Sequence, residues 1–296
     1  MESTKPKLLL VGAHLLATQI SEIFRHQGVS TEHIAPNEVR KTRITNTPAI
    51  VWTTNNKDAL LTALHLKKRG CRPHRYWIGG DVLRLSTTSP VKRRTLAVFN
   101  RILFDSHTAN SAWLSAELMA CGIDSRPLPF SPVCCDQHWR LSPAPAAYTV
   151  LFYSHEDNDH IYMPEHVFRA ARNLPETQFI CVGDSKLKST LPNVEIVGEV
   201  PRERMIEIYK QSSCLIRFTS HDGFPRMIIE AMALGLDVVS NLPIPLINRV
   251  ETPDEITACI AKLANSPPKR NLDLREYAFS QQSAQNWCDY WTKLTS

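Results

Sequence analysis

The chain reads as an α/β protein made of two successive doubly wound halves, and three observations carry that reading. Short apolar runs alternate with segments of helical spacing along most of the 296 residues. That order demands right-handed crossovers and a parallel sheet with helices on both faces. The alternation breaks once, at SPVCCDQHWRLSPAPAA (131–147), which holds three prolines and no periodicity and reads as a linker. Charge divides at the same place. Residues 1–145 hold 19 Lys/Arg against 10 Asp/Glu, and residues 146–296 hold 15 against 19. A basic first half favours an anionic partner: a membrane surface, a lipid phosphate or a nucleic acid.

The elements follow in order. KLLLVGAH (7–14) is a buried strand entering a glycine turn, and Leu15 to His26 has helical spacing that Gly28 stops. AIVWTT (49–54) is a second strand, with a helix from Asp58 to Lys68. RYWIGG (75–80) is a third, ending at Gly79-Gly80-Asp81. A basic helix near Pro90 to Asn100 precedes a strand RILFDS (101–106) and a helix from Ser111 to Ala120. Beyond the linker come strand 149–154, helix 164–173, strands 178–183 and 194–200, helix 202–211, strand 214–220, helix 225–234, strand 236–240 and helix 252–265. The tail from Leu274 to Leu294 is helical and rich in aromatic residues.

Composition excludes several classes. Hydrophobic residues make up 43% and charged residues 21%, which suits a globular chain and not a disordered one. No apolar run approaches the ~20 residues of a membrane span, and the N-terminus has no signal-peptide pattern. The expectation is a cytoplasmic chain, peripheral at the inner face of a membrane if its basic half docks there. The eight cysteines show no CxxC pair and no zinc spacing, so no metal is expected. Most read as small buried hydrophobes in a reducing compartment. The vicinal Cys134–Cys135 pair reads either as loop thiols or as a reactive pair.

The most informative stretch is RFTSHDGFPRMIIEAMALGLDVV, 217–239. It runs strand, glycine loop, helix, Gly235, strand. Gly223 lets backbone approach a ligand closely, and the amides of 223–227 open a helix, which makes an anion site. Pro225 fits a first helical turn. Glu230 lies eight positions beyond Asp222, well into that helix. A carboxylate there suits ribose or sugar hydroxyls, for which it is a two-oxygen acceptor.

This stretch resembles the donor-binding signature of GT-B-fold retaining glycosyltransferases, especially family 4 (glycosyl transferases group 1). Asp222 replaces the first acid of that pattern. Gly223, Phe224, Glu230, Ala231, Ala233, Gly235 and Val238–Val239 match, and Asp237 stands where proline is usual. FICVG (179–183), NVEIVGEV (193–200) and the helices at 204–211 and 252–266 extend the resemblance over most of 148–270. The resemblance implies two Rossmann-like domains facing across a cleft. An acceptor-binding domain would span 1–135, a linker 136–147, a nucleotide-sugar domain 148–272, and a C-terminal helix packing back across the domains 273–296. It also implies roles. Glu230 would hold ribose hydroxyls, and Asp222 hydroxyls of the donor sugar. Gly223, Phe224, Pro225 and Arg226 would meet the diphosphate. Gly183, Asp184, Gly198 and Glu199 would line the base site. The transfer needs no metal and no cofactor beyond the nucleotide-sugar substrate, so positive charge must stabilise the leaving diphosphate.

Here the chain departs from the family. The loop that usually supplies Arg and Lys reads FYSHEDNDHIYMP (152–164), acidic, with His155 and His160 as its basic candidates. Arg217 and Arg226 flank the signature and are the substitutes. In the first half, Gly12 and His14 follow the first strand and count as donor-side candidates. Gly79, Gly80 and Asp81 follow the third and count as acceptor-side candidates. Asp81 reads equally as a helix cap, and His14 and His107 as structural. The basic clusters at 67–75 and 92–94 read either as a solvated helix face or as a docking surface for an anionic membrane or phosphorylated acceptor.

The function expected is transfer of a sugar from a nucleotide-sugar to a saccharide or lipid-linked acceptor, in polysaccharide or glycolipid assembly. The alternative is a catalytically degenerate GT-B-like accessory protein that binds a nucleotide or glycan without turnover. Nucleic acid is not expected as a partner, because no RNA-binding aromatic motif or helix-turn-helix signal is present.

Overall fold

The computed structural model describes residues 7–53, 55–130, 133, 139–280 and 284–295. The Cys134–Cys135 pair and the start of the expected linker lie outside them. The chain forms two compact units. The first comprises Met1–Cys134, His221–Phe224 and Ser283–Ser296, and the second Cys135–Ser220 and Pro225–Gln282.

The first unit runs β1 (Lys7–Val11), α1 (His14–His26), β2 (Ser30–Ile34), β3 (Pro48–Val51), α2 (Asn56–Lys67), β4 (Arg72–Trp77), α3 (Gly80–Ser86), α4 (Pro90–Leu103), β5 (Ser106–Ala109), α5 (Ala112–Ala120) and β6 (Arg126–Pro127). All strands are parallel, in the order β2-β1-β3-β4-β5-β6. Successive strand residues alternate faces. Leu8, Leu10, Ile50, Trp52 and Tyr76 pack with α1 on one face, and Leu9, Val11, Ala49 and Val51 pack with α2 on the other.

The second unit runs β7 (Thr149–Tyr153), α6 (Asp159–Tyr162), α7 (Pro164–Asn173), β8 (Gln178–Val182), β9 (Val194–Gly198), α8 (Arg202–Gln211), β10 (Cys214–Arg217), α9 (Arg226–Ala233), β11 (Asp237–Ser240), β12 (Asn248–Arg249), α10 (Pro253–Ala264) and α11 (Leu272–Ser280). Its sheet is also parallel, ordered β12-β11-β10-β7-β8-β9. The aromatic tail is two helices rather than one. Asn271 bonds α11 to the second unit through the Gly235 carbonyl (2.7 Å) and the Asp237 carboxylate (2.9 Å). The last helix, α12 (Ala284–Thr295), places Trp287, Cys288 and Trp291 in the core of the first unit.

One expected strand is corrected. Residues 101–103 continue α4, and the strand is Ser106–Ala109. Helical periodicity wins because Ala97, Asn100 and Phe104 share the inward side of α4. β5 is then built from Ser, His, Thr and Ala, which carry almost no apolar pattern. Among the described residues, no helix is long and apolar enough to cross a membrane. The six described cysteines are free thiols, five of them buried.

Candidate functional site

Ligands of doubly wound sheets sit beyond the carboxyl ends of the strands, where the strand order reverses. In the second unit that point lies between β7 and β10. β7 ends at Tyr153 and β10 at Arg217. The Arg217 side chain is nearly buried, with its guanidinium 5.0 Å from the Tyr153 ring and 4.6 Å from the Tyr162 ring. Cation–π contact lets a charge sit there in low-dielectric surroundings. Burial pushes the Tyr153 hydroxyl up to about 12, with Tyr162 adding to the rise and Arg217 opposing it. Tyr162 is fixed because Ser220 holds α6: its amide donates to Ile161 O (2.9 Å) and its hydroxyl to His160 O (2.8 Å). His155 and His160 themselves are exposed.

Two glycines shape the neighbouring strand ends. Gly183 has φ +99°, and a Cβ there would lie 2.3 Å from the Tyr153 ring and 2.4 Å from Ser154 O. Its amide donates to Gly198 O at 2.8 Å. Asp184 is buried, and its Oδ1 accepts from the amides of Lys186 (2.8 Å) and Leu187 (3.0 Å). That oxygen closes the turn after β8. Glu199 is exposed just past Gly198.

On α9, Glu230 is the second-turn residue facing α8. It accepts from the buried Tyr209 hydroxyl at 2.9 Å. Burial pushes the Glu230 carboxyl up, while Arg226, the Tyr209 hydroxyl and Arg202 pull it back. Burial also raises the Tyr209 hydroxyl, helped by Glu230 and opposed by Arg226 and Arg217. Arg202 and Arg226 thus act electrostatically on Glu230, and Arg226 and Arg217 on Tyr209, so three arginines bear on one tyrosine–glutamate pair between α8 and α9. Such a cluster offers a hydroxyl acceptor beside cations suited to phosphate.

In the first unit the order reverses between β1 and β3. A cavity of about 410 Å³ opens there, lined by Gly12, His14, His33, Trp52, Thr53 and Ile78 among others. A Cβ on Gly12 would lie 2.2 Å from the Trp52 indole, so glycine is required by packing. Gly12 O is bonded to His33 Nε2 at 3.0 Å, and the His33 and His14 rings lie 5.3 Å apart. Trp52 Nε1 is buried with no hydrogen-bond partner among the described residues.

The segment 221–224 folds with this first unit. Trp113 Nε1 donates to Asp222 O (2.8 Å), Asn110 Nδ2 to Phe224 O (3.0 Å), and His221 Nε2 lies 3.0 Å from Glu117 Oε2. Asp222 Oδ1 accepts from the Gly223 amide at 2.9 Å. A Cβ on Gly223 would sit 2.8 Å from Ile78 O, so the close approach this glycine permits is to the protein's own backbone. Gly79 has φ +124°, and its missing Cβ leaves room for the Gly223 amide at 3.0 Å.

Residues 149–262 match the family model described as Glycosyl transferases group 1. The second unit carries a group 1 glycosyltransferase domain. The whole chain is similar to the structure of Anabaena HepE in complex with UDP-glucose, at 12% identity and TM-score 0.74, covering 97% of this chain and 98% of that one. It is similar to sucrose-phosphate synthase of Thermosynechococcus elongatus, at 14% identity and TM-score 0.75, covering 98% of each chain. The apo lipopolysaccharide outer core galactosyltransferase WaaB matches at 14% identity and TM-score 0.60, over 97% of this chain and 99% of that one. At these identities the structural likenesses establish the fold, which is that of GT-B glycosyltransferases. No curated protein sequence matches the chain.

The glycosyltransferase domain thus holds Arg217, Arg226, Glu230, Gly183, Gly198 and Glu199, whereas Asp222, Gly223 and Phe224 are packed in the first unit with Gly79. Asp81 is corrected. It is fully buried, pairs with Arg75 Nη2 at 3.5 Å, and accepts from the amides of Ile78, Gly79 and Val82 through Oδ1. It holds the turn after β4 together and has no oxygen facing solvent. Gly80 opens α3 with empty space around its Cβ position. Sequence reasoning missed Tyr209, which looks like an ordinary core residue of its helix. It also missed His33, on a strand whose sequence STEHI carries one strong apolar residue.

Proposed function

We propose that the chain is a retaining, metal-independent glycosyltransferase that moves a sugar from a nucleotide-sugar to a saccharide or lipid-linked acceptor, working in the cytoplasm. The observation that carries this is the Tyr209–Glu230 pair among Arg202, Arg217 and Arg226. Glu230 accepts the ribose hydroxyls, with its second lone pairs free of the Tyr209 bond. Arg226 and Arg217, with the first amides of α9, meet the diphosphate and stabilise the charge that grows on it as the glycosidic bond breaks. They take the part of the Arg/Lys loop that residues 152–164 lack. The acceptor hydroxyl attacks from the face the diphosphate leaves, and its proton passes to the departing phosphate. No carboxylate need become a covalent nucleophile.

UDP is the first nucleotide to try, because Anabaena HepE is solved with UDP-glucose. Direct titration of UDP, GDP, ADP and CMP is expected to single out one base, and Glu230→Ala to weaken it at least 100-fold. Unchanged affinity in the variant removes Glu230 from the site. The acidic 152–164 loop favours one second reading, an accessory protein that binds without turnover. Product analysis separates the two: nucleotide bound tightly, with no nucleoside diphosphate released in the presence of acceptors, would establish the second.

A further inference from the structure

The helix α4 is amphipathic in an unusual sense, because its larger apolar side chains point outward. Its inward side is made by Ala97 and Asn100, with Leu96 and Leu103 half-buried beside them. Asn100 is committed to the interior by accepting from Arg75 Nη1 at 3.1 Å. On the outside, Val91 is 78% exposed, Ile102 64%, Phe99 48% and Val98 42%. These four account for nearly half of the large exposed hydrophobics of the described chain, gathered on one 14-residue helix. Scattered exposed apolar residues need no explanation, but a contiguous stripe does.

At 100° per residue, Val91, Val98, Phe99 and Ile102 form one stripe. Arg94 and Arg101 flank it on one side and Lys92 on the other, all exposed. The sequence of α4, PVKRRTLAVFNRIL, contains no acidic residue. An apolar stripe bordered by long basic side chains is the pattern of a helix lying in the plane of a bilayer interface, with stripe among acyl chains and cations at headgroup phosphates. A second copy of this chain fits poorly. A symmetric contact would set Lys92, Arg94 and Arg101 against their own counterparts without acids to neutralise them.

We infer that the outward face of α4 docks the protein on an anionic phospholipid surface, with Val91, Val98, Phe99 and Ile102 entering the interface and Lys92, Arg94 and Arg101 meeting lipid phosphates. This surface lies in the first unit and is independent of the nucleotide site. A chain that failed the Glu230 titration would still bind vesicles, and one that passed it could still fail here.

The test is co-sedimentation of the full chain with phosphatidylcholine vesicles with and without 30% phosphatidylglycerol, at low and at physiological salt. Expected is binding to the anionic vesicles, at least tenfold weaker on the neutral ones and weakened by salt. F99S/I102S and R94Q/R101Q are each expected to reduce binding at least tenfold. All four positions are exposed, so circular dichroism and nucleotide affinity without vesicles should match the wild type. No sedimentation with anionic vesicles at low salt overturns the inference. So does equal binding by wild type and both variants, or a dimer, abolished by F99S/I102S, that leaves vesicles unbound.

Discussion

Asp81 and Glu230 are both carboxylates on the helix that follows a strand of a parallel sheet, one in each unit, and their surroundings differ. Asp81 has no exposure. A guanidinium and three backbone amides engage it, and Arg75 donates in turn to Asn56 Oδ1 (2.9 Å) and Asn100 Oδ1 (3.1 Å) and lies 3.7 Å over the Trp77 ring, with its Nε unpaired among the described residues. Glu230 has one hydroxyl partner and arginines near enough to act on it but not to consume it. A carboxylate is a ligand candidate when its lone pairs outnumber the donors the fold supplies. Position on the helix after a strand is common to both and decides nothing.

That contrast can be broken by mutation. The largest effect should come from Asp81→Ala, which leaves Arg75 charged and buried without its counter-ion. Urea denaturation is expected to show a loss of roughly 3–5 kcal/mol, while the folded protein keeps its nucleotide affinity. A loss under 1 kcal/mol would mean that Arg75 is satisfied by Asn56 and Asn100 alone.

The second effect is on pH and belongs to the first unit. Burial holds His107 down at about 3 and His74 at about 4. The unfolded chain takes up these protons first, near the ordinary imidazole value. The stability of the neutral imidazoles is therefore complete above pH ~6.5 and is lost as pH falls towards the folded values. For His107 this amounts to roughly 3 kcal/mol at pH 4. The urea midpoint of the wild type should fall between pH 7 and 4, and His107→Gln should flatten that slope. Parallel slopes would show that His107 is not buried as a neutral ring.

The smallest effect sharpens the other half of the contrast. Tyr209→Phe removes the one hydroxyl that orients Glu230 without touching the arginines. Nucleotide affinity is expected to fall about tenfold, in line with a hydrogen bond to a charged group, and thermal stability to change little. A loss as large as that of Glu230→Ala would mean that the tyrosine itself contacts the ligand.

The second unit was readable to the residue in places, such as α7 and α8, because its strands are apolar runs and its helices carry strong amphipathic spacing. The first unit resisted. β2 is half-exposed and polar, β6 is two residues long, and β5 is part-buried and built from Ser, His, Thr and Ala. Burial on both faces of a parallel strand leaves no alternation to detect. The glycine, arginine and glutamate positions of the signature were legible because backbone approach and helix position need those residue types. What saturates each group was not. The Tyr209–Glu230 bond spans 21 positions and the Asp81–Arg75 pair lies among residues from three elements, so both exist only once the sheets are assembled.

The placement of α12 has a consequence for how the chain is made. Trp287 sits against Phe24, Tyr76, Phe130 and Trp291, so the core of the first unit is completed by residues of α12. Every described residue of the second unit precedes them. The first unit must wait with an open aromatic groove for roughly 8 to 30 s at ~5–20 residues per second. The half that emerges later can close earlier, and the order of synthesis is the reverse of the order of completion.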